Sequence, residues 1–405
     1  MKWEYLTLDK LGSISRGKSK HRPRNDKILF GGKYPFIQTA DVKAANLYLT
    51  EYKNTYNEKG LEQSKLWKAG TLCITIAANI AETAILGIDA CFPDSIMGFV
   101  PFKGVSNVKF IKYAFDILKN NCRTISQGTA QDNLSWEKLS RIEFPAPPIE
   151  VQNKIVDILS AYDDLIENNQ KQIKLLEEAA QRLYKEWFVD LRFPGYENTP
   201  IIDGVPEGWN HIYLENVISK ITTGLNPRKN FVLGNGNNYY VTIKNMRNNN
   251  VYLDEKCDRI DDEAIIKINK RSNLQIGDIL FSGIGTMGRV YLVNNPTNNW
   301  NVSESVFTLR ANNKISKELL YLILLSDNVQ KYCDQHAHGV AQRGIRMADL
   351  KAYKFVLPSK NIIENFTKII KPIINKIQNL NVQIVDATKA RDRLLTKLMS
   401  GEIEV

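Results

Sequence analysis

The sequence predicts an α+β protein: two similar, β-rich α/β domains separated by two long antiparallel coiled-coil helices, a duplication with pseudo-two-fold symmetry. Two observations support this prediction. Short motifs occur twice in the same order, about 210 residues apart, and each copy is followed by a long stretch with helical periodicity. A period of this length is typical of a duplicated domain, because solenoid repeats span only ~20–50 residues.

Four pairs of motifs define the duplication and keep their order, so the two copies differ mainly in loop length. The pairs are residues 3–8 with 209–214, 68–72 with 275–279, 128–131 with 339–342, and 144–147 with 355–358. We therefore expect a first domain at residues 1–148, a central helical region at 149–200, a second domain at 201–358 and a C-terminal helical region at 359–405. Domains of this size are common.

Both domains are predicted to be rich in β-structure. Short runs of β-branched and aromatic residues are bounded by Gly, Asn and Asp turns, which is typical of strands. The runs are residues 34–39 and 72–77 in the first domain and 279–282, 290–293 and 306–309 in the second. Helices are expected only at 112–120 and 317–335, so each domain is predicted to be a mixed α/β unit dominated by a curved sheet.

The two helical regions carry the clearest local pattern. From residue 151 to 187, apolar side chains recur in steps of four and three, with one extra four-residue step near Asn169. Residues 362–398 repeat this pattern, which is typical of heptads with one stutter. Two such stretches in one chain are expected to pack against each other. Pro372 is expected to kink the second helix or to mark its start.

The first helix has more apolar surface than one helical partner covers, which predicts that a second protein docks on it. Large aromatic side chains often dominate the energy of such interfaces. The candidate partner-binding residues are Leu183, Tyr184, Trp187, Phe188, Leu394 and Leu398. The alternative is that Trp187 and Phe188 close the junction between the helix and the second domain.

Composition limits the class of function. A net charge of +10 and a pI near 9.1 favour a polyanionic partner, although an ordinary basic surface remains an alternative. No run approaches ~20 apolar residues, so no membrane span is expected. The five cysteines are scattered and form no Cys-x-x-Cys pair, and no signal peptide is evident. We therefore expect a cytoplasmic protein with reduced thiols.

Three short motifs that could indicate an enzyme are given other interpretations. Residues 283–288 match Gly-x-Gly-x-x-Gly, but a strand pattern follows instead of a helix, so a β-turn is expected. The His-Ala-His at 336–338 has no neighbouring ligands at a suitable spacing, so no metal site is expected. Residues 41–53 loosely resemble a nuclease carboxylate–lysine set, but the second copy does not repeat it.

Several stretches resemble the DNA-specificity (S) subunit of type I restriction–modification systems. They are residues 16–24 with 34–42, residues 128–133 with 145–148, residues 183–189 with 192–195, and residues 394–403. The last two are the most specific, and the resemblance covers essentially the whole chain. It implies two target-recognition domains, each recognising one half of a split, asymmetric double-stranded DNA sequence.

The resemblance also implies partners and a division of labour. Two helical regions hold the recognition domains apart and bind two methyltransferase (modification) subunits, and restriction (motor-nuclease) subunits can join the complex. The S subunit itself is implied to have no catalytic activity. We expect no cofactor in this chain, with S-adenosylmethionine, ATP and Mg²⁺ only on the partner subunits.

Candidate DNA-binding residues divide by chemistry. A dense basic loop is suited to phosphates, although a solvated charged loop is the alternative. It comprises Arg16, Lys18, Lys20, Arg22 and Arg24. Polar side chains that follow predicted strands have the hydrogen-bonding groups that base edges require. They are Gln38, Thr39 and Asp41 in the first domain and Lys244, Asn245 and Arg247 in the second. The repeated Gly-x-x-Gln loop adds Gln127, Thr129, Gln131, His338, Gln342, Arg343 and Arg346.

The alternative function is a DNA methyltransferase or nuclease acting on its own. A methyltransferase would need a cofactor-binding domain and an Asn/Asp-Pro-Pro-aromatic tetrapeptide. Residues 146–149 are Ala-Pro-Pro-Ile, which lack both the amide and the aromatic ring. A helical assembly protein without nucleic acid is disfavoured by the basic, duplicated domains. We therefore predict a non-catalytic, sequence-specific DNA-binding subunit that scaffolds methyltransferase subunits.

Overall fold

The computed structural model describes residues 3–77, 81–126, 136–340 and 343–405. The chain divides into two compact units. Unit 1 comprises Met1–Asn169 and Gln383–Val405, and unit 2 comprises Gln170–Val382. Both divisions fall inside long helices, so each unit combines one β-rich head with one end of each long helix. The four-part division predicted from the sequence stays a prediction.

In the part of the unit 1 head that the structure describes, there are two main sheets, mostly antiparallel. The five-stranded sheet has the order Gly12–Arg16, Ile96–Pro101, Leu72–Thr75, Thr83–Leu86 and Tyr48–Leu49. The four-stranded sheet has the order Asn54–Tyr56, Phe30–Phe36, Ala90–Cys91 and Leu66–Trp67. Glu4–Thr7 pairs with Glu143–Ala146. Leu72–Thr75 and Thr83–Leu86 are buried along their whole length, which explains why most of their residues are apolar.

The helices of the unit 1 head are mostly short. They are Leu8–Leu11, Thr39–Ala44, Glu58–Glu62, Val108–Ser126 and Trp136–Leu139, with a 3₁₀ turn at Lys27–Leu29. The helix expected at 112–120 is therefore longer at both ends. Its residues Phe110 and Phe115 lie in a core that also contains Leu159 and Leu398 from the two long helices. The long helices are thus part of the hydrophobic core of unit 1.

Unit 2 has a similar sheet arrangement. An antiparallel four-stranded sheet has the order Ile218–Thr223, Val306–Ala311, Ile279–Ser282 and Val290–Leu292. A three-stranded sheet has the order Asp258–Ile260, Asn238–Val241 and Trp300–Val302. Three two-stranded pairs complete it: Asn210–Tyr213 with Lys354–Leu357, Met246–Arg247 with Asn250–Val251, and Ile201–Ile202 with Val205–Pro206.

The helices of the unit 2 head are Asp262–Ser272, Lys317–Leu325, Asp327–Gln335 and Met347–Lys351. Among the described residues of unit 2, 3₁₀ turns accompany them at Tyr196–Asn198, Leu214–Val217, Pro227–Lys229 and Ile243–Asn245. The prediction of a single helix at 317–335 was wrong, because Ser326 adopts an extended backbone conformation between two helices. Its hydroxyl accepts from the Val329 N–H at 3.5 Å and so caps the second helix.

The duplicated motifs occupy matching places in the two units. Trp3 and Trp209 each precede a strand that pairs with the last strand of its own head. Gly70 and Gly277 each stand two residues before a central strand, with φ of 88° and 95°. Other residues rarely adopt this backbone conformation, so the repeated glycine marks a turn that both heads require.

The two long helices are Ile149–Phe188 and Lys360–Met399. Pro372 lies inside the second helix and does not mark its start. In unit 1, the Asn169 side-chain amide donates to the Gln383 amide oxygen at 3.1 Å, so a polar pair occupies the position of the predicted stutter. In unit 2, the ring of Trp187 lies 5.4 Å from that of Phe366. Late residues of one helix thus meet early residues of the other, and the predicted antiparallel, two-headed α+β fold is confirmed. Across the described ranges, no helix is both long and apolar enough to cross a membrane.

Candidate nucleic-acid interface

Residues 16–24 form a loop that the rest of unit 1 holds in place, and we call it the unit 1 basic loop. The Gly17 N–H donates to the Ile96 carbonyl at 2.9 Å. The Ser64 hydroxyl donates to the Lys18 carbonyl at 2.9 Å. The backbone is therefore anchored from both sides, while all five cationic side chains are exposed.

The cations of the unit 1 basic loop form two sets. Those without an ion pair, among the residues described, are Arg16, Lys18 and Lys20. Arg22 and Arg24 instead lie beside Asp94. The shortest distance from Arg24 Nη2 to the Asp94 carboxylate is 2.7 Å, and from Arg22 Nη2 it is 3.8 Å. Three cations are thus available to a polyanion, and two share an internal carboxylate.

Asp41 and Asn245, expected to meet DNA bases, have structural roles. The Asp41 carboxylate accepts from the Gln38 N–H at 2.8 Å, at the start of the helix Thr39–Ala44. The Asn245 side-chain oxygen accepts from the Thr242 N–H at 2.9 Å. Asn245 is only 5% exposed, so its amide has no access to a base. The repeated residue therefore caps a turn in both heads.

Their neighbours remain accessible. Gln38 and Lys244 are exposed, and Thr39 is half-buried. The Arg247 guanidinium lies 4.5 Å from the centre of the Tyr252 ring and 3.5 Å from the Asp254 carboxylate. Stacking on an aromatic ring limits the orientations of a guanidinium, which favours a defined polar contact over a diffuse one.

The second Gly-x-x-Gln loop is closed at its base. The N–H groups of His338 and Gly344 donate to each other's carbonyls at 2.8 and 2.9 Å. His338 Nε2 lies 3.0 Å from the Asp349 carboxylate, and the Arg343 guanidinium donates to the Asp334 carbonyl at 2.8 Å. Arg346 is exposed at the start of the helix Met347–Lys351. Gln127, Thr129, Gln131 and Gln342 lie outside the described residues.

A second basic loop, which was not predicted from the sequence, lies at residues 224–230 of unit 2. The Gly224 N–H donates to the Ser303 carbonyl at 3.2 Å, as Gly17 does to Ile96 in unit 1. A Cβ on Gly224 would lie 1.5 Å from a backbone oxygen, so only glycine fits there. Arg228 and Lys229 follow it and are exposed. A glycine 207 residues after Gly17, again followed by cations, was the signal that could have found this loop.

The three motifs set aside in the sequence have ordinary surroundings. Residues 283–288 form a turn with positive φ at Gly285 and Gly288, and the strand Val290–Leu292 follows, which confirms the β-turn interpretation. Within the described part of the chain, no three His, Cys, Asp or Glu side chains are grouped to hold a metal ion. Four cysteines are described, and all are free and buried. Burial raises the pKa of the Cys333 thiol to about 12, which makes it a poor nucleophile.

The residues expected to bind a partner are mostly internal. Trp187 is 6% exposed, and Tyr184 and Leu398 are also buried. The ring of Phe188 lies 4.7 Å from that of Phe366 and 5.9 Å from that of Trp209. These contacts favour the alternative that Trp187 and Phe188 close the junction between helix and head.

Other side chains provide the exposed apolar surface of the first long helix. They are Ile158, Leu165 and Leu175, of which Leu175 is 65% exposed. Leu183 and Leu394 are half-buried.

A family model described as the type I restriction modification DNA specificity domain matches residues 1–178 and 206–388. The chain belongs to this family. Its members named as specificity subunits are the non-catalytic components that give type I restriction–modification complexes their DNA sequence specificity.

Individual relatives match over nearly their full length. The MjaIX specificity subunit of Methanocaldococcus jannaschii is 25% identical over 413 residues, covering 100% of this chain and 94% of the relative. The HindI specificity subunit of Haemophilus influenzae is 24% identical, covering 97% and 98%. The crystal structure of the type I system S subunit from M. genitalium matches 98% of this specificity subunit and 96% of that chain, with a TM-score of 0.62 at 16% identity. That likeness shows a common fold.

Proposed function

We propose that this specificity subunit recognises a bipartite, asymmetric double-stranded DNA sequence, with the head of unit 1 on one half and the head of unit 2 on the other. The observation that carries the proposal is the pair of exposed basic loops, each anchored by a glycine at the same place in its head. The loops differ in sequence, with Lys18 and Lys20 in one and Arg228 and Lys229 in the other. Two similar but non-identical heads should recognise two different half-sites.

Phosphate and base contacts are expected from different residues. Cations on an exposed backbone loop bind phosphates without reading sequence, and they position the protein on the duplex. We assign this role to Arg16, Lys18 and Lys20 and to the cations of loop 224–230. Gln38 and Arg247 remain candidates for base edges, because their amide and guanidinium match adenine and guanine. Arg343 and Arg346 border the second repeated loop and are further candidates.

The proposed complex contains two methyltransferase subunits and can recruit restriction subunits, with S-adenosylmethionine, ATP and Mg²⁺ on those partners. The exposed leucines at 165 and 175 are better docking candidates than Trp187, because a partner can reach them without unfolding a core. Such a complex would act on DNA in the cytoplasm.

The deciding experiment exchanges residues 1–148 for the matching head of a relative with a different target and maps methylated positions after co-expression with the methyltransferase subunits. We expect one half of the methylated sequence to change and the other to persist. The reciprocal exchange of residues 201–358 is the control and should alter the other half. A change in both halves from a single exchange would contradict independent recognition.

A second measurement tests the alternative of an enzyme acting alone. The purified chain, with duplex DNA and labelled S-adenosylmethionine, should transfer no methyl group until the methyltransferase subunits are added. Turnover by the chain alone that a point substitution in it abolishes would support the alternative.

A further inference from the structure

Asp94 places a carboxylate against the unit 1 basic loop. Its oxygens lie 2.7 and 2.8 Å from Arg24 Nη2, and one lies 3.8 Å from Arg22 Nη2. The segment that carries Asp94 is joined to the loop by the Gly17–Ile96 hydrogen bond. Asp94 is therefore held at a fixed place beside the two arginines.

Both guanidiniums also face solvent, whereas the Asp94 side chain does so only in part, because its Oδ1 is buried. About half of each arginine side chain and about a third of the Asp94 side chain are exposed. Exposed ion pairs are weak and exchange readily. A phosphate presents the same kind of oxygen pair to a guanidinium as a carboxylate does, so it can replace Asp94 as the partner of Arg24.

We propose that Asp94 is a built-in competitor for DNA phosphates, which occupies Arg24, and to a lesser degree Arg22, until the matching half-site docks. This inference rests on the proposed function. On non-specific DNA the loop binds through Arg16, Lys18 and Lys20, and Arg24 stays with Asp94. On the target, correctly placed base contacts hold a phosphate close enough to draw Arg24 away. Asp94 thus lowers non-specific affinity more than specific affinity and raises the ratio between them.

Unit 2 offers a matched comparison at Glu304, which follows the Ser303 that anchors Gly224. One Glu304 oxygen accepts from the Asn226 amide at 2.8 Å and the other from the Tyr240 hydroxyl at 3.0 Å. Both partners are neutral. Glu304 therefore braces its loop without occupying a cation, and its neutral variant removes a brace but releases no charge.

The test uses the full chain assembled with its methyltransferase subunits. Fluorescence anisotropy measures binding to two duplexes across a salt series. One duplex carries the target sequence, as identified by mapping methylated positions, and the other carries a scrambled sequence. Each added phosphate contact makes the slope of log affinity against log salt concentration steeper by about 0.9. At about 0.1 M salt, relative to about 1 M salt, such a contact tightens binding about eightfold. Asp94→Asn should tighten scrambled-duplex binding by about this factor and steepen its slope by about one. Target binding should tighten less.

Two further variants identify the released group. Asp94→Asn combined with Arg24→Ala should return scrambled-duplex affinity to that of the wild type. Arg24→Ala alone should weaken target binding more than scrambled-duplex binding, because only the target contact uses the Arg24 cation, and this result does not depend on Asp94→Asn folding. Glu304→Gln should leave the scrambled-duplex slope unchanged.

The inference would be overturned if a folded Asp94→Asn complex bound the scrambled duplex with unchanged or weaker affinity. It would also be overturned if Arg24→Ala weakened binding to both duplexes equally. In either case a wild-type complex that still prefers its target leaves the proposed function intact. A wild-type complex with no preference between duplexes would instead overturn the proposed function.

Discussion

A buried charge network joins both long helices to the head of unit 1. The Arg391 guanidinium donates to one oxygen of Asp163 at 2.6 Å, and the Tyr113 hydroxyl donates to the other at 2.5 Å. Asp163 is only 8% exposed. Burial and the neighbouring Asp163 carboxylate raise the pKa of Tyr113 well above its usual value, so the phenol keeps the proton that it donates.

Arg391→Met removes the cation and keeps most of the apolar stem. Breaking a buried ion pair typically costs ~3–5 kcal/mol, because a buried charge loses its partner. About a quarter of the Arg391 side chain is exposed, and a solvent-accessible cavity of about 510 Å³ adjoins the network. Water can therefore replace part of the lost interaction, and we expect the lower end of the range, ~3 kcal/mol.

Asp163→Leu together with Arg391→Met should be milder than Arg391→Met alone, at ~1 kcal/mol. The Tyr113 hydroxyl is then the buried group that lacks its partner, while the Asp392 carboxylate, which also loses Arg391, is exposed to water. Native-state hydrogen exchange, followed by mass spectrometry of peptides from Val108–Ser126, reports the stability of unit 1 separately from unit 2. Arg141→Met is the matched control, since its ion pair with Glu137 is exposed on both sides and should contribute under ~0.5 kcal/mol. A loss below ~1 kcal/mol for Arg391→Met, or a double variant less stable than the single one, would refute this account.

Three further predictions concern the core, the basic loop and its anchor. Trp187→Ala should destabilise unit 2 by ~3–5 kcal/mol, and normal thermal melting of this variant would contradict the role of Trp187 in the core. Leu175→Ala should instead leave thermal melting unchanged and weaken binding of the methyltransferase subunits, as measured by size-exclusion chromatography. Arg16→Ala with Lys18→Ala should reduce the salt slope of DNA binding by about two, and an unchanged slope would exclude phosphate contacts there. Gly17→Ala should lower the melting temperature, because its Cβ would lie 2.3 Å from a backbone oxygen.

The sequence by itself determined the duplication and the extent of the long helices. Periodicity predicted helical stretches at 151–187 and 362–398, and the helices are Ile149–Phe188 and Lys360–Met399. Helical hydrogen bonds join residues four apart, so local sequence carries most of the information about where a helix runs. The break at Ser326 was missed because two capped helices in direct succession give nearly the same apolar pattern as one.

Tertiary structure decided which polar and aromatic side chains face solvent. Asn245 has the same amide whether it caps a turn or meets a base, and only the fold shows that it is buried. Trp187 has the ring expected of an interface anchor, yet Phe366, far along the chain, covers it. Arg24 has the charge that a phosphate requires, and its partner Asp94 lies 70 residues away. Such pairings depend on how distant segments are brought together, and the spacing of residues along one segment carries no information about them.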